Sequence, residues 1–421
     1  MKIIADLHIH SKYARACSQL LEPPNLAAWA RKKGIQILGT GDFTHPKWMA
    51  ELEEALVETK PGLYSLKSGG AVNGPWFMLS AEVSSIYKLG DKVRRVHNLI
   101  FAPNIAAAKR LNQLLEARGA NLKADGRPIM GIKCDELVKL CKEADPAIEL
   151  VPAHAWTPHF GVFGSLSGFG SLAEAFGDQT KHIFAIETGL SSDPKMNWQV
   201  SGLDDISLIS NSDAHSLRKL GREANVFDLP EEEISYPGIM AAIRGRDPQK
   251  FLYTIEFFPE EGKYHLDGHR EHKFSCLPEE TKRLHGICPV CGKKLLQGVL
   301  HRVDDLADRE LGFRPPRAVP FKNLIPLEEI IAETFGTGVA SKKVLEQYEA
   351  MVAKKTEFDI LIDLAEADIA AIGNPAIAQS VMRVRNGQVH IEAGYDGLFG
   401  KIEIYSDEER LRLTPKQASL F

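Results

Sequence analysis

The chain has 421 residues, a net charge of −5 and 44% apolar residues, so it can bury a real core and is expected to form about two to three domains. No global basic field marks it for nucleic acid, although local basic patches suffice for phosphate contact. There is no charged-then-apolar leader and no apolar run near the ~18 residues a membrane span needs, and the six cysteines are too unevenly placed for a secreted disulfide framework, which predicts a reduced, cytoplasmic protein.

From the N-terminus the pattern alternates strand and helix. A strand over 3–10 precedes a helix entered through Pro23-Pro24, and a strand over 35–42 precedes a helix over 46–59. Strands follow near 76–87 and 94–102, helices near 105–117 and 134–144, strands near 148–154, 182–188 and 206–213, and a helix near 236–244. Such alternation predicts an α/β fold with a parallel sheet.

Metal-ligand residue types recur where these apolar runs end. The first run opens onto Asp6-Leu7-His8-Ile9-His10, the second onto Thr40-Gly41-Asp42, and the third onto Ala81-Glu82. Val96 leads into His97, and later runs reach His154, Glu187 and Ser212-Asp213-Ala214-His215. Strand ends of an α/β barrel meet at one mouth, which favours closure over an open sheet. Imidazoles and carboxylates crowded there need a cation to neutralise them.

These motifs resemble the PHP (polymerase and histidinol phosphatase) superfamily over roughly residues 1–255. The resemblance implies a distorted seven-stranded barrel that holds two or three metal ions and cleaves phosphoesters. It places one metal on His8, His10, Glu82 and Asp213, and a second on Glu82, His97 and His154. A third site would use His215 and Asp42, although Phe43 stands where the superfamily has a histidine. Asp213, Glu82 and His8 would form the catalytic core. Histidine with carboxylate suits zinc, manganese or iron better than an all-oxygen magnesium site, and magnesium remains an alternative.

Residues 256–310 contain Cys288-Pro-Val-Cys291-Gly, a CxxC knuckle, preceded by His269-Arg-Glu-His272. The two pairs predict a structural zinc site and a zinc ribbon, with Cys276 as a rival ligand. A proline-rich linker opens the segment 311–393, where helical patterns cover 327–335, 342–353 and 357–372, and Gly336-Thr337-Gly338 suggests a helix-turn-helix hairpin. The segment 394–421 reads as a turn, a strand and a tail. Its last residues, with Gln417, Leu420 and Phe421, resemble the peptide by which repair proteins dock on the sliding clamp.

Across nearly the whole chain these parts resemble the endonuclease Q family. Besides the PHP motifs, the likeness rests on Pro152-Ala-His-Ala155, Ser210-Asn-Ser-Asp-Ala-His215, Leu220-Gly-Arg-Glu223 and the run 299–309. It implies a DNA repair nuclease that cuts 5′ to deaminated bases (uracil, hypoxanthine, xanthine) or abasic sites. Arg218, Arg222, Lys293 and Arg302 lie in basic clusters and are candidate DNA contacts. The alternatives are a small-molecule phosphoesterase of the histidinol-phosphatase kind and a non-catalytic DNA-binding scaffold.

Overall fold

The computed structural model describes residues 1–68, 74–406 and 408–410. Its N-terminal portion is mixed α/β. Strand Lys2–Asp6, buried from Ile3 onward, pairs in parallel with Ile37–Gly39, which pairs in parallel with Trp76–Met78. After a break at Leu79, Ser80–Leu89 and Lys92–Phe101 form a long antiparallel hairpin, and Glu149–Pro152 pairs antiparallel to its second arm. Ala185–Glu187 and Ser207–Ile209 form a separate parallel pair.

Backbone contacts link these pieces in sequence. The Ala155 N–H donates to Glu187 O (2.9 Å), and the His10 N–H donates to Ala214 O (3.1 Å) beside an Ile9–Ala214 bridge. The strands that carry the candidate ligands therefore follow one another around a common centre. On the other side of Lys2–Asp6, Ala224–Asp228, Phe251–Glu256 and Phe321–Asn323 extend the sheet.

Three sequence expectations change. The helix over 46–59 ends at Ala55, and Leu56–Lys60 turns back on Leu63–Leu66. β-Branched Val57 and Thr59 favour the strand, and Gly62 at φ +70° makes the turn where a Cβ would come 2.4 Å from Tyr236 Cβ. His97 lies in the middle of its strand rather than at an end, because that strand runs antiparallel through the site. The helix over 357–372 is broken into a π-helical turn, Asp359–Asp363, and Glu366–Ile372, while a further helix, Pro375–Arg385, begins at an Asn374 cap.

The C-terminal helices pack against the N-terminal part through a shared apolar core. At that face, the buried Lys33 meets Glu357 at 2.8 Å, and Tyr348 donates to the same carboxylate at 2.7 Å. A buried charge so paired and hydrogen-bonded fixes one relative placement of the two parts, because separating them strands an ion in low dielectric. No helix among the described residues is long and apolar enough to cross a membrane.

Candidate metal centre

Five of the sequence-predicted ligands converge on a sixth, Glu82, which is fully buried. Its Oε2 faces His10 Nε2 at 3.2 Å and His8 Nε2 at 3.6 Å, and Asp213 Oδ1 completes this group at 3.0 Å from His10 Nε2. Its Oε1 faces His97 Nδ1 at 2.6 Å and His154 Nε2 at 2.9 Å, and those two nitrogens are 3.2 Å apart. One carboxylate thus serves two adjacent subsites.

The imidazoles are held from behind. His8 Nδ1 contacts Glu187 at 3.0 Å and His10 Nδ1 contacts Asp42 at 2.9 Å, which leaves each Nε2 aimed at Glu82. Carboxylates in that position fix the tautomer and raise the basicity of the free nitrogen, as they do behind histidine metal ligands. His8 Nε2, His10 Nε2 and Asp213 Oδ1 are buried without a hydrogen-bond partner among the described residues. Buried polar atoms left so are costly, and a divalent cation would satisfy all three at once. The donor set of imidazoles and carboxylates fits a divalent metal ion.

Charge balance points the same way. Burial opposes protonation of His8 and His10, yet Glu187 and Glu82 hold His8, and Asp42 with Asp213 holds His10, well above the ordinary imidazole range. Burial also resists ionisation of Asp213, but His10 and His8 keep it well below the carboxylate range. At His97 burial wins over Glu82, and the imidazole is pulled down to about 4. Asp42, His154 and Asp213 adopt left-handed φ of 48°, 30° and 46°. Such conformations cost of order 1–3 kcal/mol each and gather where a site demands them.

Asp42 and His215 are not placed as third-site ligands. Asp42 Oδ2 accepts from the Ser11 N–H (2.6 Å) and hydroxyl (2.7 Å), so both its oxygens are engaged in holding the His10 loop. His215 Nδ1 contacts the Asp213 carbonyl at 2.8 Å, and its ring lies 4.7 Å from that of His10, outside both groups. Glu187 also accepts from the His154 N–H (2.8 Å) and from Asn211 (2.9 Å). Glu187→Gln keeps this shape but removes the charge behind His8, and is expected to weaken manganese binding about 10–100-fold. Calorimetric titration checks this, and an unchanged affinity would remove Glu187 from the role.

A cleft of about 510 Å³ opens over the centre, lined by Arg15, His97, Arg127, His154, Phe160 and Asp213. Arg127, absent from the sequence reading, donates to Glu82 Oε2 at 2.9 Å. Of the cations predicted to contact DNA, three are engaged within the protein. Arg218 forms a bidentate pair with buried Glu328, Arg222 donates to Ser212 O (2.8 Å), and Arg302 donates to Phe163 O and Phe169 O (both 2.9 Å). Lys293 is exposed, with Glu271 at 3.9 Å.

In the second constellation His269, Cys288 and Cys291 bring ligand atoms within 4.8 Å of one another. Desolvation pushes the Cys288 thiol up, but His269 and the N–H groups of the knuckle outweigh it and bring it down to about 7. His272 stacks edge-on to His269 at 4.8 Å and groups with it and Glu271. Cys276 Sγ instead sits 3.1 Å from the Thr281 hydroxyl, outside both groups. The clamp-type residues Gln417, Leu420 and Phe421 lie outside the described residues.

The comparisons match this architecture over nearly its full length. The fold is similar to that of a lesion-specific endonuclease from Pyrococcus furiosus, with a TM-score of 0.85, 31% identity, and coverage of 97% of this chain and 96% of that one. A solved endonuclease Q, in complex with a 27-mer duplex carrying an abasic lesion at its active site, matches with a TM-score of 0.84 and 31% identity, over 97% and 98% of the two chains. The uncharacterized protein YqxK of Bacillus subtilis strain 168 is 31% identical over 416 residues, which are 96% of this chain and 99% of its own. Residues 326–388 match the family model of the MJ0043 C-terminal domain. By this likeness across the whole chain, the protein belongs to the endonuclease Q family of lesion-specific DNA endonucleases.

Proposed function

We propose that the chain hydrolyses the DNA phosphodiester on the 5′ side of a deaminated base (uracil, hypoxanthine, xanthine) or an abasic site, and that it depends on divalent metal. The observation that carries this reading is the pair of subsites sharing Glu82 at the floor of an open cleft. Zinc, manganese or magnesium bound there would stabilise phosphate charge and lower the pKa of a water. His8, His10 and Asp213 would hold one cation and His97 with His154 the other, with Glu187 and Asp42 keeping the rings of His8 and His10 in place. The succession of strand contacts around the centre supports a PHP-type barrel, and His269, Cys288 and Cys291 support a structural zinc module. Clamp docking through Gln417, Leu420 and Phe421 is carried by sequence alone, and a reducing cytoplasm suits the six free cysteines.

The test is purified protein with manganese or magnesium on a duplex carrying one uracil, hypoxanthine or abasic site, beside a generic phosphomonoester. A nick 5′ to the lesion is expected. Hydrolysis of the monoester alone would favour the small-molecule reading, and DNA binding without cleavage would favour the scaffold.

A further inference from the structure

We propose that Arg127 is a catalytic residue whose guanidinium grips the non-bridging oxygens of the phosphate being cleaved. The proposal rests on the phosphodiesterase reading above and deepens it. Arg127 reaches the centre from a loop whose turn motif showed no chemistry in sequence. The only hydrogen bond of its guanidinium among the described residues is to Glu82, and the side chain is 29% exposed at the cleft wall. A guanidinium has five N–H donors in a planar fork suited to phosphate. Most of them are unspent, and they lie beside the carboxylate shared by both subsites.

The loop is built to hold that position. Asp125 accepts from the Arg127 N–H (3.0 Å) and the Arg15 N–H (3.2 Å), and the Gly126 N–H donates to Tyr13 O (3.0 Å). Gly126 passes so close to the centre that a Cβ there would sit 2.5 Å from Asp42 Oδ2. On the far side the Ser84 N–H donates to Pro128 O (2.9 Å), and Ile129–Met130 joins the strand that carries Glu82. A plain surface arginine needs none of this anchoring, and a mere counterion for Glu82 would not leave its fork facing an open cleft.

Hydrolysis adds the oxygen of water to phosphorus and breaks one ester P–O bond. One water proton ends on the leaving oxygen and the other in solvent. Arg127 gives and takes no proton in this. It supplies positive charge where negative charge accumulates on the phosphoryl oxygens, and such preorganised donors act strongly in a site shielded from water.

The experiment compares wild type with Arg127→Ala and Arg127→Lys, with Arg127→Gln in reserve should the alanine variant melt early. Calorimetry of the manganese-loaded protein with inorganic phosphate should show affinity reduced about tenfold or more in the alanine variant and partly restored by lysine, while manganese affinity stays within about threefold. Single-turnover nicking of an abasic duplex should fall about 100-fold, mainly in the rate rather than in half-saturation. Phosphate affinity equal to wild type, or a loss of manganese that accounts for the loss of rate, would overturn the assignment. If the wild type nicks no lesion but the phosphate result stands, the lesion reading fails and the arginine's role survives.

Discussion

Replacing Asp213 by asparagine is expected to lower nicking by about 10³-fold or more, a loss of some 4 kcal/mol of transition-state stabilisation. Asp213 Oδ1 lies 3.0 Å from His10 Nε2 and 3.7 Å from His8 Nε2, and it has no hydrogen-bond partner among the described residues. It is therefore an anion directed at the place where the first subsite's nitrogens converge. An amide keeps the oxygen and loses the charge that would hold and position a cation there. The loop itself should survive the change. Buried Asp6 accepts from the Ser212 N–H (3.0 Å) and the Gly221 N–H (2.9 Å), and Arg222 holds the Ser212 carbonyl. The φ of 46° at position 213 is one that asparagine tolerates well. Melting temperature and DNA binding should thus stay close to wild type while manganese affinity drops. Nicking at the wild-type rate in the variant would remove Asp213 from the ligand set.

The convergence of His8, His10, Glu82, His154 and Asp213 was legible because a chain alternating strands and helices has few ways to arrange its strand ends, whereas His97 joins them from the middle of an antiparallel strand. Second-layer roles were not. Whether the oxygen of Asp42 meets a cation or the back of an imidazole is a matter of a few ångströms, and residue type and spacing are the same in both cases. Glu187 stood in the strand-end series, yet only the fold shows it behind His8. Arg127 was hidden because a turn containing a lone arginine is ordinary; its meaning comes from a glycine that lets the loop approach Asp42. The pairing of Arg218 was hidden in the same way. Its basic cluster looks alike in sequence whether it faces phosphate or a carboxylate, and Glu328 arrives from 110 residues along the chain. Helix ends failed where local and tertiary preferences compete, as at Ala55, where pairing with Leu63–Leu66 draws Leu56–Lys60 out of a helical pattern.

Cys288→Ser or Cys291→Ser should remove about one zinc equivalent per chain and destabilise residues 265–310, while the N-terminal centre keeps its metals. The segment is thinly built around the knuckle, although Asp267, Val299 and Val303 are buried behind it. Its one strand pair, Asp267–His269 with Phe274–Cys276, is three residues long on each side, and Leu277, Val290 and Leu296 are exposed. Backbone bonds shape the knuckle, with Cys288 N–H to Lys293 O (2.8 Å) and Gly292 N–H to Cys288 O (2.9 Å), and within it Cys288 is buried while Cys291 is exposed. In small modules of this kind zinc contributes apparent free energies of about 10–16 kcal/mol, far more than such a core can supply. Proteolysis should therefore appear within 265–310 in either variant, and DNA affinity should fall because this module flanks the cleft through the cavity shared by His159 and Lys294. His269→Ala should lose zinc in the same way. Cys276→Ser should retain it, because Cys276 Sγ contacts the Thr281 hydroxyl and stands outside the cluster. Metal analysis separates the outcomes: zinc retained in Cys291→Ser would refute the centre, and zinc lost in Cys276→Ser would restore Cys276 as its fourth ligand in place of His272.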